Sequence, residues 1–324
     1  MQHIFQKFSD LKVLIIGDVM MDTYLWGKVE RISPEAPVPV VSVTKKENRL
    51  GGAANVALNV QSLGAKPIIC AVIGDDQEGI DFMNLLDKQN LSAEGILKID
   101  GRPTTVKTRV IGHNQQIVRV DAETDQQITM AASDQIFQKI QNIIKAEKIN
   151  AIIFEDYDKG LLSQDLISRT VELANSRQIL TIVDPKKRNF LCYHNVTLFK
   201  PNLKELREGL KMEIEPSQIA DITDAVTVLQ ERLNAKMVMV TLSELGVYIS
   251  SSNGQKVIPA HIRNIADVSG AGDTVIATAT LCLAAGLDEF KTAEIANLAG
   301  GLVCEQVGVV PINHDLLLSE SIKL

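Results

Sequence analysis

The sequence predicts an α/β protein built on a parallel sheet with helices on both faces, for two reasons. Hydrophobic residues make up 45% of the 324 positions but aromatic residues only 4%, so the core consists of Val, Ile, Leu and Ala, which suit buried parallel strands. Strand-like and helix-like segments also alternate after residue 129, in the pattern of βαβ units. These segments are a helix at 133–148, a strand at 151–154, a helix at 164–177, a strand at 180–183, a helix at 218–233 and a strand at 237–241.

The N-terminal third adds elements of the same kind. Residues 11–17 (LKVLIIG) predict a buried strand that ends at a glycine. Residues 38–43 predict a strand whose Pro39 confines it to a sheet edge or to a separate small sheet. Residues 51–63 predict a Gly-rich turn that opens a helix, and a strand at 68–73 and a helix at 81–89 follow. No repeat or linker interrupts the chain, so we expect one domain.

Residues 105–120 predict a β-hairpin around a His113-Asn114 turn, because polar and apolar residues alternate on both sides of it. Basic residues lie on its strands. Together with the strand that contains Pro39, the hairpin forms a small β excursion from the α/β domain. Such an excursion suits a lid that excludes water from a reaction. The segment from 273 to 307 is rich in Ala and predicts helices.

The composition argues against several classes of function. The formal net charge is −7, whereas proteins that bind phosphate backbones are usually basic, so no nucleic-acid partner is expected. No apolar run approaches ~20 residues and the N-terminus lacks an apolar signal segment, so we expect a soluble, cytoplasmic protein that does not contact a membrane. The five histidines show no spacing typical of a zinc site.

Residues 267–277 (DVSGAGDTVIA) carry the strongest local indication of chemistry. Gly270, Ala271 and Gly272 let backbone N–H groups approach a ligand, and the predicted helix start adds positive potential, so the segment predicts an anion hole. Asp273 follows in the first turn, where an unperturbed pKa of ~3.9 leaves its carboxylate ionised at pH 7 and able to accept a hydroxyl proton. A capped helix after a glycine turn explains the same spacing, and the spacing alone favours that simpler interpretation.

Two common phosphate-binding motifs are incomplete. The dinucleotide fingerprint G-x-G-x-x-G lacks its third glycine, because position 275 is Val. Residues 101–108 (GRPTTVKT) resemble a P-loop, but Val106 replaces the second glycine and a β-pattern follows. A dinucleotide-dependent oxidoreductase and a P-loop enzyme are therefore both disfavoured.

Several motifs at predicted strand ends together resemble those of the ribokinase-like (PfkB) carbohydrate kinases. Residues 51–52 (GG) with Asn55, and the GAGD that ends at Asp273, look like the two signatures of that family; DPK at 184–186, PN at 201–202 with Glu205, and TLSE at 241–244 follow in the expected order. The resemblance covers nearly the whole chain. It implies a three-layer sandwich with a mostly parallel central sheet, one kinase domain over residues 1–324, and a small β-sheet lid formed by about residues 19–45 and 103–121.

The same resemblance implies the catalytic and nucleotide-binding residues. Asp273 is the implied catalytic base, and Gly270, Ala271 and Gly272 supply the anion hole. ATP and Mg²⁺ are the implied cofactors, with Glu205 near the metal because Mg²⁺ prefers oxygen ligands. The residues implied to face the phosphates are Asn202, Leu203, Lys204 and Glu205, and those implied to contact the rest of the nucleotide are Lys186, Ser243, Glu244, Gly246 and Asn297. A capping box between Asn202 and Glu205 is a structural alternative that is compatible with this role.

A closer resemblance is to the D-glycero-D-manno-heptose-7-phosphate kinases, through residues 17–24 (GDVMMDTY), 31–40 (RISPEAPVPV) and 156–160 (DYDKG). It implies phosphorylation of the anomeric C1 hydroxyl of heptose 7-phosphate to the 1,7-bisphosphate, a step towards the lipopolysaccharide core. The residues implied to bind the sugar are Asp22, Gly51, Gly52 and Asn55. The 7-phosphate needs a cationic partner, and Arg109, Arg119 and Lys159 stay open as candidates.

Other expectations follow from the same resemblance. Many members carry a C-terminal nucleotidyltransferase domain, but no H-x-G-H signature is present, so we expect that step on a separate protein. A homodimer is expected, because the β excursion of related kinases often forms a dimer contact. Two alternatives stay open: another sugar or sugar-phosphate kinase of the same fold, and an inactive sugar-binding regulator, against which the intact GAGD argues.

Overall fold

Strands and helices alternate along the computed structural model, which describes residues 1–112, 115–261 and 263–324. The strands are β1 (Lys12–Gly17), β2 (Val19–Ile32), β3 (Pro39–Gly52), β4 (Lys66–Gly74), β5 (Gly95–Ile99), β6 (Val106–Gly112), β7 (Gln115–Ala122), β8 (Ala151–Glu155), β9 (Leu180–Asp184), β10 (Leu198–Phe199), β11 (Met237–Thr241), β12 (Val247–Ser251) and β13 (Gly254–Ile258). The helices are α1 (Gln2–Lys7), α2 (Ala53–Ser62), α3 (Gln77–Lys88), α4 (Met130–Ala146), α5 (Gln164–Ser176), α6 (Leu203–Leu210), α7 (Ile219–Leu233), α8 (Ala271–Ala284), α9 (Glu289–Val303) and α10 (His314–Ser321).

The central sheet has the strand order β13-β12-β11-β10-β9-β8-β1-β4-β5. Neighbouring strands pair in parallel from β11 to β5, whereas β12 runs antiparallel to both β11 and β13. The predicted α/β class and the mostly parallel sheet are therefore confirmed. Each parallel strand ends at the same edge of the sheet, which we call the carboxyl edge.

Helices cover both faces of the central sheet, as the alternation of side chains along its strands requires. In β1, Val13 and Ile15 pack into one hydrophobic cluster with α2, α8 and α9. The intervening Leu14 and Ile16 pack into a second cluster with α4, α5 and α7. The result is a three-layer sandwich with one core on each side of the sheet.

A separate small sheet has the order β3-β2-β6-β7. Its β2–β3 and β6–β7 pairs are antiparallel, and β2 pairs with β6 in parallel. Only Asp18 separates β1 from β2, and β3 ends where α2 begins, so the small sheet adjoins the carboxyl edge. The strand that contains Pro39 is an edge strand of this sheet, as predicted. The sheet covers the segments expected to form a lid, and its movement as a lid stays a prediction.

The structure corrects some details of the sequence interpretation. Gly51 and Gly52 continue β3 instead of forming a turn, and α2 begins at Ala53. Gly52 has a φ of 58°, a conformation that glycine adopts without steric cost. The predicted hairpin at 105–120 is present as β6 and β7, but its His113-Asn114 turn lies outside the described residues. The short strands β5, β12 and β13 were not predicted. Within the described part of the chain, no helix is long and apolar enough to cross a membrane.

Candidate active site

Buried charged residues collect at the carboxyl edge of the central sheet. Asp18 directly follows β1, Glu155 ends β8, Asp184 ends β9 and Lys200 directly follows β10, and all four are buried. Glu155 and Asp184 are partners in the β8–β9 register, so their side chains lie next to each other. Ligands of open α/β sheets bind at this edge, which makes it the candidate site.

Asp273 faces this cluster from the first turn of α8. Gly270 is the N-cap of the helix, with a φ of 80° and no side-chain capping bond. The Asp273 carboxylate instead accepts hydrogen bonds from Asn55 Nδ2, at 2.6 Å from Oδ2, and from the Tyr157 hydroxyl, at 3.0 Å from Oδ1. Asp273 therefore lies in the first turn of a helix that follows a glycine turn, but residues of two other elements, and no capping bond, hold its carboxylate.

Burial changes the acidity of Asp273. Desolvation raises the pKa of this carboxyl group to about 6, with a further contribution from Asp184, while the hydrogen bonds from Asn55 and Tyr157 and the charge of Lys200 act against the increase. This pKa lies well above the unperturbed value expected from the sequence. The carboxylate is still mostly ionised at pH 7, and a pKa close to the working pH suits a general base.

The glycines of the predicted anion hole lie against a buried ion pair. Lys200 Nζ is 2.7 Å from Asp184 Oδ2, and both side chains are almost inaccessible to water. A Cβ atom built on Gly272 would lie 3.7 Å from Asp184 Oδ2 and 3.8 Å from Lys200 Nζ. Although burial acts to lower the pKa of Lys200, the charges of Asp184 and Glu205 raise it above its usual value. A fixed positive charge thus lies beside the start of α8, a helix end that favours anions, although the Ala271 N–H already donates to the Val268 carbonyl oxygen at 3.3 Å.

Glu155 is the unpaired member of the cluster. Its Oε2 atom is buried and has no hydrogen-bond partner among the residues that the structure describes. Burial, followed by the charges of Asp184 and Asp273, raises the pKa of Glu155 well above its usual value. A buried charge without a partner is costly, so this environment favours the neutral form of the carboxyl group more than water does.

The residues assigned to the ATP phosphates form the predicted capping box. Asn202 Oδ1 accepts the Glu205 N–H at 2.8 Å, and Glu205 Oε2 accepts the Asn202 N–H at 2.9 Å. Glu205 Oε1 also accepts a hydrogen bond from Lys186 Nζ. Of the other two, Leu203 packs against a core cluster, and Lys204 is largely exposed at 3.8 Å from Glu208. The structure thus brings Lys186, Asn202 and Glu205 together beside the Lys200–Asp184 pair.

The remaining predicted nucleotide contacts meet around the end of β13. Ser243 and Glu244 lie in a 3₁₀ turn after β11 that ends at Gly246. A Cβ atom on Gly246 would lie 2.0 Å from the Ile258 carbonyl oxygen, so only glycine fits there. On the other side, Asn297 in α9 donates to the Pro259 carbonyl oxygen at 2.9 Å. These residues therefore border the same segment, residues 258–260, which directly follows the end of β13.

The predicted sugar ligands lie where the small sheet joins the carboxyl edge. Asp22 in β2 is buried and pairs with Arg109 in β6. A Cβ atom on Gly51 would lie 2.3 Å from Asp22 Oδ2, so the glycine allows the carboxylate to approach. Asn55, one turn into α2 after Gly52, reaches Asp273. The sugar ligands and the base are thus connected through adjacent residues of β3 and α2.

Among the three candidate phosphate ligands, Arg109 lies next to a predicted sugar ligand, through its pair with Asp22. Arg119 is half exposed and pairs with Asp121 at 2.9 Å, and Lys159 pairs with Glu123 at 2.8 Å. The geometry ranks Arg109 first among the three for a ligand that also contacts Asp22.

Sequence reasoning missed several residues at this site. Tyr157 was part of the DYDKG segment, and Asp184 was part of the DPK motif, but neither was assigned a role. Lys200 and Glu155 gave only a weak signal, as polar residues at the end of apolar strands. Arg49 was also missed: its guanidinium lies 4.9 Å from the Tyr24 ring centroid, and it donates to the Val309 carbonyl oxygen at 3.2 Å.

Comparison with known proteins matches residues 10–315 to the pfkB family carbohydrate kinases. The bifunctional protein HldE of Helicobacter pylori (strain P12) is 40% identical over 297 residues, which is 92% of this chain and 64% of that protein. Bifunctional protein HldE of Magnetococcus marinus is 41% identical over 312 residues, 96% of this chain and 64% of its own length. The chain thus spans a little under two thirds of these relatives.

Solved structures share the fold at low sequence identity. Phosphofructokinase-2 from Escherichia coli in complex with fructose-6-phosphate superposes with a TM-score of 0.77 and 19% identity, covering 97% of this chain and 98% of that one. Arabidopsis thaliana ribokinase complexed with ribose and ATP gives a TM-score of 0.74 and 15% identity, covering 97% and 99%. These similarities show a ribokinase-like fold.

Proposed function

Because the chain belongs to the pfkB family of carbohydrate kinases and is a sugar kinase, we propose that it transfers the γ-phosphoryl group of ATP to the anomeric hydroxyl of D-glycero-D-manno-heptose 7-phosphate. The product is the 1,7-bisphosphate. The observation that carries the proposed chemistry is the buried Asp273 carboxylate, held by Asn55 and Tyr157 beside Lys200 at the start of α8. The choice of acceptor rests on the motifs that resemble the heptose-phosphate kinases.

The sugar binds against the base of the small sheet. Asp22 accepts hydrogen bonds from sugar hydroxyls beside the backbone of Gly51 and Gly52, and Gly51 leaves the room that the Asp22 carboxylate itself needs. Asn55 bonds to Asp273 and therefore sets the position of the base relative to the sugar. Arg109 holds the distant phosphate with its planar guanidinium group, while it remains close to Asp22.

Proton transfer runs from the anomeric hydroxyl to Asp273. The oxygen of the sugar attacks the γ-phosphorus of ATP, the bond to the β–γ bridging oxygen breaks, and ADP leaves. Asp273 takes the hydroxyl proton as the new P–O bond forms. Backbone N–H groups at Gly270, Ala271 and Gly272, with Lys200 close by, stabilise the negative charge on the phosphoryl oxygens.

The nucleotide lies on the other side of the anion hole. Lys186, Asn202 and Glu205 approach the phosphates, and the surface bordered by Ser243, Glu244, Gly246 and Asn297 receives the rest of ATP. Within the described residues, no three His, Cys, Asp or Glu side chains are arranged to hold a metal ion. The site fits a Mg²⁺ ion held mainly by phosphates and water, with Glu205 nearby, because Mg²⁺ keeps several waters. Such an ion neutralises phosphate charge when bound.

Turnover measurements across a panel of acceptors test the function. Release of ADP is followed with purified heptose 7-phosphate, fructose 6-phosphate, ribose and unphosphorylated hexoses, and phosphorus NMR identifies the phosphorylated carbon. We expect the highest kcat/KM with heptose 7-phosphate and a new anomeric phosphate signal. Equal turnover of unphosphorylated hexoses would sink the heptose assignment and leave a sugar kinase of another specificity. No turnover with any sugar, together with tight sugar binding, would favour the inactive regulator.

We also propose that the small sheet mediates a homodimer. It carries apolar side chains that are about half exposed or more, namely Ile32, Val43, Val118 and Val120, and Val38 in the connection between β2 and β3 is similarly exposed. Exposed apolar groups of this number on one small sheet are typical of an interaction surface. Light scattering coupled to size-exclusion chromatography tests this, with Val118→Lys and Val120→Lys together expected to give a monomer. A monomer in the wild-type protein at micromolar concentration would contradict it.

A further inference from the structure

Tyr157 contacts both the proposed base and a residue assigned to the nucleotide. Its hydroxyl group donates to Asp273 Oδ1 at 3.0 Å, and its ring lies 5.3 Å from Lys186 Nζ. We propose that Tyr157 is a positioning residue of the kinase site, which orients the Asp273 carboxylate, stabilises its ionised form and joins it to the nucleotide-side residue Lys186. The proposal rests on the proposed function, because it assumes that Asp273 is the base.

The two hydrogen bonds to Asp273 come from opposite sides of the site. Asn55 belongs to α2 and binds Oδ2, whereas Tyr157 follows β8 and binds Oδ1. Two donors on different oxygens fix the plane of the carboxylate. A carboxylate has about four lone-pair directions, so directions remain free to accept the sugar hydroxyl. Loss of either donor lets the carboxylate rotate away from the orientation that proton transfer needs.

The backbone of Tyr157 is fixed as firmly as its side chain. Asp18 is buried after β1, and its Oδ2 atom accepts the N–H groups of Tyr157 and Lys159, each at 3.0 Å. Asp18 Oδ1 accepts the N–H group of Leu161 at 3.3 Å. One buried carboxylate thus holds the loop at 157–161 against the end of β1. The loop that carries Tyr157 therefore has little freedom to move, and it holds the phenol beside Asp273.

The hydroxyl group of Tyr157 acts only as a donor. Burial raises the pKa of Tyr157 well above its usual value, and the charges of Asp273, Glu155 and Asp184 raise it further. The phenol therefore stays protonated through the neutral range. Since a hydrogen bond to the ionised form favours that form, the phenol lowers the pKa of Asp273 relative to a site without it.

The contact with Lys186 ties the base to the nucleotide side of the site. The Lys186 ammonium group lies over the Tyr157 ring and also pairs with Glu205 in the capping box of α6. A cation at this distance from an aromatic ring is attracted to its face. Tyr157 therefore contacts one residue assigned to ATP and one assigned to proton transfer. The charged and titratable groups that face Asp273 and Tyr157 from the surrounding elements are Glu155, Asp184, Lys186 and Lys200.

Tyr193 provides a matched control for the test. Tyr193 is buried whereas Tyr157 is partly buried, but the Tyr193 hydroxyl group also donates to a buried carboxylate, Asp156 Oδ2, at 2.7 Å. Tyr157→Phe and Tyr193→Phe therefore each remove one hydroxyl group and one hydrogen bond to a buried carboxylate. Only the first change touches Asp273. Any effect that comes merely from lost stability appears in both variants.

The kinetic experiment compares pH profiles of kcat/KM for the three proteins with the best acceptor of the panel. For Tyr157→Phe we expect kcat to fall roughly tenfold, as for a lost hydrogen bond to a charged group, with a small change in KM for the sugar. The acid limb moves to higher pH, because the ionised form of Asp273 has lost a donor. Tyr193→Phe keeps the acid limb of the wild type. An unchanged limb in Tyr157→Phe, or an equal shift in both variants, would overturn the proposal.

A second measurement needs no turnover, so it separates this proposal from the proposed function. Carbon NMR of ¹³C-labelled aspartate side chains gives the titration of Asp273, identified as the signal missing from Asp273→Asn. We expect Tyr157→Phe to raise that pKa and Tyr193→Phe to leave it unchanged. If no sugar is phosphorylated but this shift appears, the function is wrong and the positioning of Asp273 stands. If sugars are phosphorylated and no shift appears, Tyr157 has no such role.

Discussion

The carboxyl edge of the central sheet and the small sheet place charged side chains in opposite environments. At the carboxyl edge, Asp273, Glu155 and the Lys200–Asp184 pair are buried, and the pKa values of Asp273, Glu155 and Lys200 are shifted. On the small sheet, Lys45 and Arg119 are half exposed or more and pair with neighbours in water. Buried charges interact strongly, whereas water and salt screen exposed ones. We therefore expect substitutions at the carboxyl edge to change chemistry and those on the small sheet to change binding.

Asp22 and Arg109 depart from this pattern on the small sheet. The Asp22 side chain is 5% exposed and the Arg109 side chain 17% exposed, so this pair resembles those at the carboxyl edge. It lies where β2 and β6 run in parallel, close to the end of β1. The transition from buried to exposed charges thus occurs within the small sheet, and the predicted sugar ligands lie on its buried side.

The largest effect is expected for Asp273→Asn. The amide keeps the shape of the side chain but cannot accept the sugar proton, so we expect kcat to fall at least ~100-fold, with little change in ATP binding. Steady-state rates and nucleotide titration measure the two quantities. Asp121→Asn, which removes an exposed carboxylate that pairs with Arg119 on the small sheet, is the matched control and should retain most activity. Retained activity in Asp273→Asn would refute the assignment of the base.

The second expectation concerns pH. Because burial raises the pKa of Asp273 to about 6 and catalysis needs the ionised form, kcat/KM falls as the pH drops through about 6. A single group of this kind gives roughly a tenfold loss between pH 7 and pH 5. Initial rates at constant ionic strength measure the profile, and an acid limb near pH 4 would mean that Asp273 is not desolvated in the working enzyme.

The sequence predicted the fold better than it predicted the electrostatics of the site. The alternation of apolar strands and helices depends on local pattern, so β1, β8, β9 and β11 were placed close to their observed bounds. The contact between Tyr157 and Asp273 joins positions 116 residues apart, and no local pattern encodes it. The pKa of Asp273 depends on burial by α2 and the loop after β8, so a value taken from a free side chain was too low. The motifs identified the segments that form the site, whereas the contacts between residues distant in sequence could be seen only in the structure.

A third prediction compares the two arginines paired across β6 and β7. Arg109→Ala leaves the buried Asp22 carboxylate without its partner, and removes the guanidinium nearest the predicted sugar ligands. We expect KM for a phosphorylated acceptor to rise roughly tenfold or more. Arg119 lies opposite Arg109 in the register but is half exposed, so Arg119→Ala should raise KM by less than ~3-fold. Initial rates at saturating ATP measure both, and a larger effect from Arg119 would reverse the ranking of the phosphate ligands.

The smallest expected effect is a difference in the pH dependence of stability between Glu155→Gln and Glu123→Gln. The pKa of Glu155 is raised in the folded state, mainly by burial. Its favourable contribution to the free energy of unfolding is therefore complete below the unfolded pKa of 4.5 and is lost as the pH rises through the higher folded pKa. The pKa of Glu123, beside Lys107 and Lys159, is lowered although burial opposes this, so its contribution is present above 4.5 and is lost as the pH falls.

Thermal unfolding of the wild type and both variants between pH 4 and pH 8 measures this difference. Relative to the wild type, Glu155→Gln should gain Tm as the pH rises, because the amide cannot acquire a buried charge. Glu123→Gln should lose Tm over the same range, by a small amount, because the Glu123 side chain is 28% exposed and water weakens its ion pairs with Lys107 and Lys159. If both variants shifted in the same direction, burial at the carboxyl edge would not raise the pKa of Glu155. The difference in electrostatic environment between the carboxyl edge and the small sheet would then be supported only by the pKa of Asp273.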